Sequence, residues 1–335
     1  MKKFIFAILI VNLFFLSTSL ANESSVYTTS EKVYSVGDLH GDLDSFRKAL
    51  LAVRIIDKHD NWTADKAHLV LVGDLVDRGP ETRKLMEYVM DLENKAKAMG
   101  GQVHTLLGNH EFMVTNGVIE YMHYNDATDF KDFRRTPYEK GVDGFLNAFK
   151  NDTVFAKWFR SRKLAVQINQ TIFVHAGLDQ WANHLTIAQI NRMGKSWLEY
   201  FQGVGQKPNE KSRWIIENSG PIWTRVFVDY ETGKNTLSFE DLKTILKKHK
   251  ANKVVVGHST IKSVQEAVSH PTYGGSVILT DTGLSKSYNL QISVFEHFED
   301  GKTTAYKISR DFSRITDVFS VKSPIGLCKN IYKTI

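Results

Sequence analysis

Three short apolar runs, KVYSV, AHLVLV and QVHTLL, each end in a glycine that opens onto acids, an amide and histidines: GDLHGD (37–42), GDLVDRG (73–79) and GNHE (108–111). The motifs lie about 35 residues apart, a natural length for a strand–helix–strand unit. Between the first two, DLDSFRKALLAVRI sets Leu43, Phe46, Leu50 and Val53 on one helical face. Between the second and third, Pro80 suits a first helical turn and Gly100-Gly101 a helix end. The alternation predicts an α/β sheet that begins with parallel strands. Parallel strands deliver their C-terminal loops to one edge, where open α/β sheets bind ligands. Asp38, His40, Asp74, Asp77, Arg78, Asn109 and His110 are therefore expected to meet.

Two later runs follow the same pattern. FVHAG (173–177) places His175 at a strand end, and VVVGHS (254–259) places His258 at another. Like charges crowded at strand ends repel unless a cation sits among them. Asp38, His40, Asp74, Asn109, His175 and His258 make six oxygen and imidazole donors, enough for two divalent metals that share one carboxylate. His68, His104 and His249 lack that context and are expected to be structural.

The ordered series GDLHGD, GDLVDRG, GNHE, HAG and GH resembles the calcineurin-like metallophosphoesterases, specifically the phosphoprotein phosphatase family. The bacterial-type Shewanella-like phosphatases look most similar, because a leader-like segment precedes the motifs and DTG (281–283) stands near the end. The resemblance runs from about Val33 to Gly283. It implies a two-sheet αββα sandwich, a single domain with a helical insert. It also implies a phosphomonoesterase that hydrolyses phosphoprotein esters of Tyr, Ser or Thr through hydroxide held between two divalent ions, Mn²⁺ foremost, with Fe or Zn²⁺ compatible.

Position by position, it implies Asp38, His40 and Asp74 on one metal and Asp74, Asn109, His175 and His258 on the other. Arg78, Asn109 and Arg225, the last in GPIWTR (220–225), would hold phosphate. His110, supported by Asp77, would protonate the leaving group. The tyrosine-bearing loop of the eukaryotic enzymes is expected to be absent, since SVILTDTG (276–283) stands there. Two dications set against Asp38, Asp74 and a hydroxide would leave about one surplus positive charge to attract phosphate. Two rival functions remain at this level: a dinucleoside polyphosphate or nucleotide hydrolase, whose relatives share a GPxWxR-like block, and a non-catalytic phosphate-binding protein.

The start of the chain reads as a signal peptide: Lys2 and Lys3, the run FIFAILIVNLFFL, then Ser19-Leu20-Ala21. Cleavage after Ala21 would leave residues 22–335 as an exported domain, periplasmic or secreted, with no stable membrane insertion. With 42% hydrophobic residues, 335 positions suit one large core. The net charge of +6 falls to +4 without Lys2 and Lys3. Lys247, Lys248, Lys250 and Lys253 are expected as a solvated helix cap rather than a nucleic-acid patch. The single cysteine, Cys328, provides no internal disulfide.

The aromatic-rich stretch 112–163 is expected to be a small helical subdomain. The alternative to a purely structural subdomain is that part of it walls a groove for a phosphorylated peptide, with Arg134 and Arg135 drawing anions. LAVQI and TIFVHAG are expected as a hairpin. KVVVG, SVILTDTG, LQISVFEHF and TTAYKIS are expected as an antiparallel end. Residues 302–335 carry no motif, and the oligomeric state is open.

Overall fold

The computed structural model describes residues 24–228, 237–311 and 313–326. The expected signal peptide and Cys328 lie outside the described residues. Within them, the strands are β1 (Val26–Tyr27), β2 (Val33–Val36), β3 (His68–Leu71), β4 (Gln102–Thr105), β5 (Ala165–Ile168), β6 (Thr171–Val174), β7 (Lys253–Val256), β8 (Val277–Leu279), β9 (Ile292–His297), β10 (Lys302–Ile308) and β11 (Ile315–Lys322). They form two mixed sheets, ordered β1-β5-β6-β7-β8 and β11-β10-β9-β2-β3-β4.

The parallel start is as the motif spacing predicts: β2 pairs in parallel with β3, and β3 with β4. Helix Leu43–Ala52 buries Phe46, Ala49 and Leu50, and helix Thr82–Ala98 buries Leu85, Met86, Val89 and Leu92. Between the sheets, Val33, Val70, Val72 and Leu106 share one core with Val166, Ile168, Phe173, Val255 and Ile278. This is a two-sheet sandwich with helices outside it.

The later strands differ from expectation. β5 and β6 form the predicted hairpin, and β9 and β10 pair antiparallel across Asp300-Gly301. However, β6, β7 and β8 run parallel to one another. Helices Phe239–Lys248 and Val264–Val268 precede β7 and β8, and they supply the crossovers that parallel neighbours need. β11, which was not anticipated, is an edge strand exposed along most of its length. With little of it buried, it carries weak apolar alternation.

Lys253 is also not the solvated cap residue expected. Lys247 and Lys248 do occupy the last turn of their helix, but Lys253 opens β7 at 0% exposure. Its ammonium nitrogen donates to Thr303 Oγ1 at 2.8 Å and to the Lys302 carbonyl at 3.0 Å.

The insert has a core of its own. Helices Asp126–Asp129, Gly141–Ala148 and Val154–Arg160 surround Phe130, Phe145, Phe149, Phe155 and Phe159. Several of these rings meet edge to face, as the aromatic quadrupole favours, for example Phe130 and Phe145 at 5.2 Å between centroids. Arg83 fastens the insert to helix Thr82–Ala98 through the Asp129 carbonyl and Asp132, both at 2.6 Å.

Candidate metal centre

The loops after β2, β3, β4, β6 and β7 converge on one edge of the sandwich. Five non-glycine residues there take left-handed backbone conformations: His40, Asp74, Asp77, Arg78 and His258, with φ between 41° and 69°. Such conformations cost energy and persist where the surrounding structure imposes them. The two motif glycines closest to the acids have steric reasons. A Cβ on Gly108 would sit 2.1 Å from Asp74 Oδ1, and one on Gly257 would sit 2.2 Å from Asp38 Oδ1. Only a bare backbone admits these carboxylates.

Asp74 Oδ2 is the hub. It lies 3.3 Å from His175 Nε2 and 3.9 Å from both His40 Nε2 and His110 Nε2. Asn109 Oδ1 is 2.9 Å from both His175 Nε2 and His258 Nδ1. Ligand atoms of His40, Asp74 and His110 lie within 4.8 Å of one another, as do those of Asp74, His175 and His258. Asp74 belongs to both triplets, as a bridging carboxylate would. The expected first set held Asp38 rather than His110. Asp38 Oδ2 is 4.0 Å from His40 Nε2, while both its oxygens accept from the His258 amide at 3.0–3.1 Å.

The rings are oriented from behind. His175 Nδ1 is 2.8 Å from the Val72 carbonyl, His40 Nδ1 is 3.1 Å from that of Val76, and His258 Nε2 is 3.1 Å from that of Trp223. A ring nitrogen against a carbonyl must carry hydrogen, so in the neutral ring it is the other nitrogen that presents its lone pair to the centre. Burial pushes His40 and His258 down to about 3, which keeps them neutral and able to ligate. His175 behaves in the opposite way: burial disfavours its charge, but Asp74 and Asp38 outweigh burial and hold it up to about 10. Burial and then Asp281 drive Asp38 upward. Asp74, which despite its burial is held well below the usual carboxylate range by His175, His110 and His40, thus borrows an imidazolium as counter-charge, while Asp38 is pushed toward its neutral acid. A metal ion would replace that counter-charge and let both ionise. The donors are oxygen and imidazole with no thiolate, a set suited to Mn²⁺, Fe or Zn²⁺.

Beside the hub, His110 Nδ1 meets Asp77 Oδ2 at 2.6 Å, and its Nε2 is 3.4 Å from Arg78 Nη2. Asp77 Oδ1 and Arg78 Nε are buried without a partner. The Arg78 guanidinium lies between two tyrosine rings, 4.7 Å from the centroid of Tyr121 and 5.3 Å from that of Tyr288. Arg225 reaches the same side, donating to Ser259 Oγ at 2.8 Å. All ten residues singled out in the sequence therefore gather at one place.

Three side chains at the site were not anticipated there: Glu111, Tyr121 and Tyr288. Glu111 of GNHE accepts from the amides of Asp74 (3.0 Å), Leu75 (2.7 Å), Val76 (3.3 Å) and Gly108 (2.7 Å), tying two motif loops together. Its place in the motif was the available signal. Tyr121 was singled out only as part of the aromatic insert, and it comes to the site because the Arg78 amide donates to its carbonyl at 2.7 Å. The stretch SVILTDTG, where the tyrosine-bearing loop of the eukaryotic enzymes is expected to be absent, itself holds no tyrosine. The segment after it, to which the sequence assigns no role, brings Tyr288, 5.6 Å from His40 between ring centroids, because the chain turns back at Gly283. Arg134 bonds instead to the Lys131 carbonyl within the insert, and the Arg135 amide donates to Glu139.

The family description "Calcineurin-like phosphoesterase" matches residues 31–261. Shewanella-like protein phosphatase 2 of Arabidopsis thaliana is 26% identical over 76% of this chain and 72% of its own. A symmetrical bis(5'-nucleosyl)-tetraphosphatase of Chromobacterium violaceum is 26% identical over 60% of this chain and 64% of its own. Among solved structures, the cold-active protein-tyrosine phosphatase of a psychrophilic Shewanella species shares the fold, with a TM-score of 0.71 at 23% identity over 88% of this chain and 82% of that one. The converging motif loops and a family match across most of the chain lead to one conclusion: this chain belongs to the calcineurin-like phosphoesterases, hydrolases with a dinuclear metal site, and among them it is similar to the Shewanella-like phosphatases.

Proposed function

We propose that this protein is a phosphomonoesterase acting on phosphoproteins, on phosphotyrosine, phosphoserine or phosphothreonine. The observation that carries this is the Arg78 arm: a guanidinium flanked by two tyrosines, its Nε buried and unpaired, beside a His110–Asp77 pair. Two divalent ions, Mn²⁺ foremost, would be held by Asp38, His40, Asp74, Asn109, His175 and His258, and when bound they lower the pKa of water toward ~7.

The chain's own groups do the rest. Arg78 and Arg225 offer forked donors that match phosphate oxygens. The unpaired Arg78 Nε is a donor awaiting such an oxygen. Asp77 holds His110 by Nδ1, so that Nε2 faces the centre and can pass a proton to a departing alkoxide or phenoxide. A leader at residues 1–21 would export the activity, away from cytosolic dinucleotides.

The nucleotide reading is favoured by the tetraphosphatase likeness and by GPIWTR. Phosphate release by residues 22–335, stripped by chelator and reloaded with Mn²⁺, separates the two. Turnover of phosphopeptides but not of a dinucleoside tetraphosphate is expected, and the reverse would move the protein to the nucleotide hydrolases.

A further inference from the structure

A cavity of about 1150 Å³ opens directly from Arg225, lined by Asp179, Trp181, Glu217, Trp223, Arg225 and Leu237. It does not involve the insert, where the sequence placed the substrate wall. The cavity is continuous with the centre in two ways. Arg225 belongs to both, and Trp223 lends its carbonyl to His258 Nε2 at 3.1 Å while its ring meets His258 edge-on at 6.0 Å. A phosphate held by Arg225 would therefore project the rest of its substrate into this space.

Charge does not select what enters. Glu217 is paired with Arg213 at 3.1 Å, and Asp179 is engaged by the Trp181 amide at 2.9 Å. Gln180, His184, Asn218 and Ser219 add polar edges, and the larger part of the wall is apolar. Trp181 is 56% exposed on the short turn Gln180–His184, and Leu237 lines the same space. Aromatic walls beside acids that are already paired are the makings of a largely apolar side-chain pocket.

We propose that this cavity binds the side chain flanking the phosphorylated residue of a peptide substrate, and that it favours aromatic and aliphatic side chains. The inference rests on the phosphoprotein reading above. It is tested on the Mn²⁺-loaded protein and its Trp181→Ala variant. The probes are phosphotyrosine and phosphoserine peptides that differ at one position, Phe against Gly, over the two residues on either side of the phosphorylated one.

The native protein should favour Phe over Gly at one of these positions by about tenfold in kcat/KM, the scale of one apolar pocket contact. Trp181→Ala should bring that ratio close to one. Because Trp181 is exposed, the thermal midpoint of the variant should stay near that of the native protein. Hydrolysis of all peptides without flank preference, or a preference that survives Trp181→Ala, would overturn this inference alone. Failure to cleave any phosphopeptide while p-nitrophenyl phosphate is cleaved would overturn the phosphoprotein reading and this inference with it. A rise in KM for dinucleoside tetraphosphate in Trp181→Ala would give the cavity to a nucleobase instead.

Discussion

Two buried polar clusters lie on the same strand of this protein and satisfy themselves in different ways. Ser35, within β2, bonds to His297 Nε2 at 2.8 Å, His297 Nδ1 to Thr303 Oγ1 at 3.2 Å, and Thr303 Oγ1 to Lys253 at 2.8 Å. This relay lies on regular strands, and each of its side-chain polar atoms has a partner within the chain. Asp38, just beyond the end of β2, enters a cluster with an excess of carboxylate, strained backbone and two orphaned polar atoms. Buried polar groups are stable when hydrogen-bonded and costly when not. One cluster is complete as folded, and the other is built for a guest.

Removing the guest gives the largest contrast. Chelation should abolish phosphatase activity and lower unfolding stability by about 2.7 kcal/mol, measured against protein holding metal at a hundredfold excess over its Kd. Equal denaturation midpoints for stripped and reloaded protein would put both clusters in the same class.

Within the metal-side cluster, His110→Ala should lower kcat by about 10²–10⁴ for a phosphoserine peptide. The loss should be much smaller for p-nitrophenyl phosphate, whose leaving group needs no proton. An equal loss on both substrates would mean that His110 acts on the centre rather than on the leaving group.

A smaller effect is expected from the tyrosines beside Arg78. Tyr121→Ala and Tyr288→Ala each remove a ring that holds the guanidinium, an interaction of about 0.5–2 kcal/mol. KM for aryl phosphate should rise by a few-fold to roughly thirty-fold, and inorganic phosphate should inhibit correspondingly less well. Unchanged phosphate inhibition would show that Arg78 needs no such support.

The subtlest test concerns the relay. Burial lowers Lys253 to about 7, against an ordinary lysine value well above that. The unfolded chain therefore binds a proton that the folded chain does not, from the ordinary lysine range down to about pH 7. Stability from this group rises as pH increases above 7 and is lost as pH falls back toward it. Native protein should gain up to about 1.4 kcal/mol per pH unit over Lys253→Met in that window, read from urea midpoints. Parallel pH profiles would show that Lys253 is not buried in solution as it is here.

Most of the site was legible because its chemistry demands particular residues at strand ends, and strand ends can be read from apolar runs followed by glycine. Asp38, Asp74, Asn109 and His258 each follow such a run, and His175 directly ends the run TIFV with Gly177 two residues later. Glu111 was less legible because its work is done through backbone amides of another loop, and no local pattern announces that. Tyr288 was missed because its position depends on how the chain returns after Gly283. Lys253 was misassigned for a related reason: next to three other basic residues it looks like a solvated cap, and only β10 packing over β7 makes it a buried donor.

The sequence by itself determined the parallel β2–β3–β4 unit, the family and which motif side chains would gather at one sheet edge, since alternating apolar runs and strand-end motifs are local features repeated at a regular spacing. Tertiary structure alone decided the direction of β7 and β8, the two tyrosines beside Arg78 and the cavity beyond Arg225. These depend on contacts between residues far apart in the chain, where the cost of bringing segments together is set by the whole fold rather than by any one stretch.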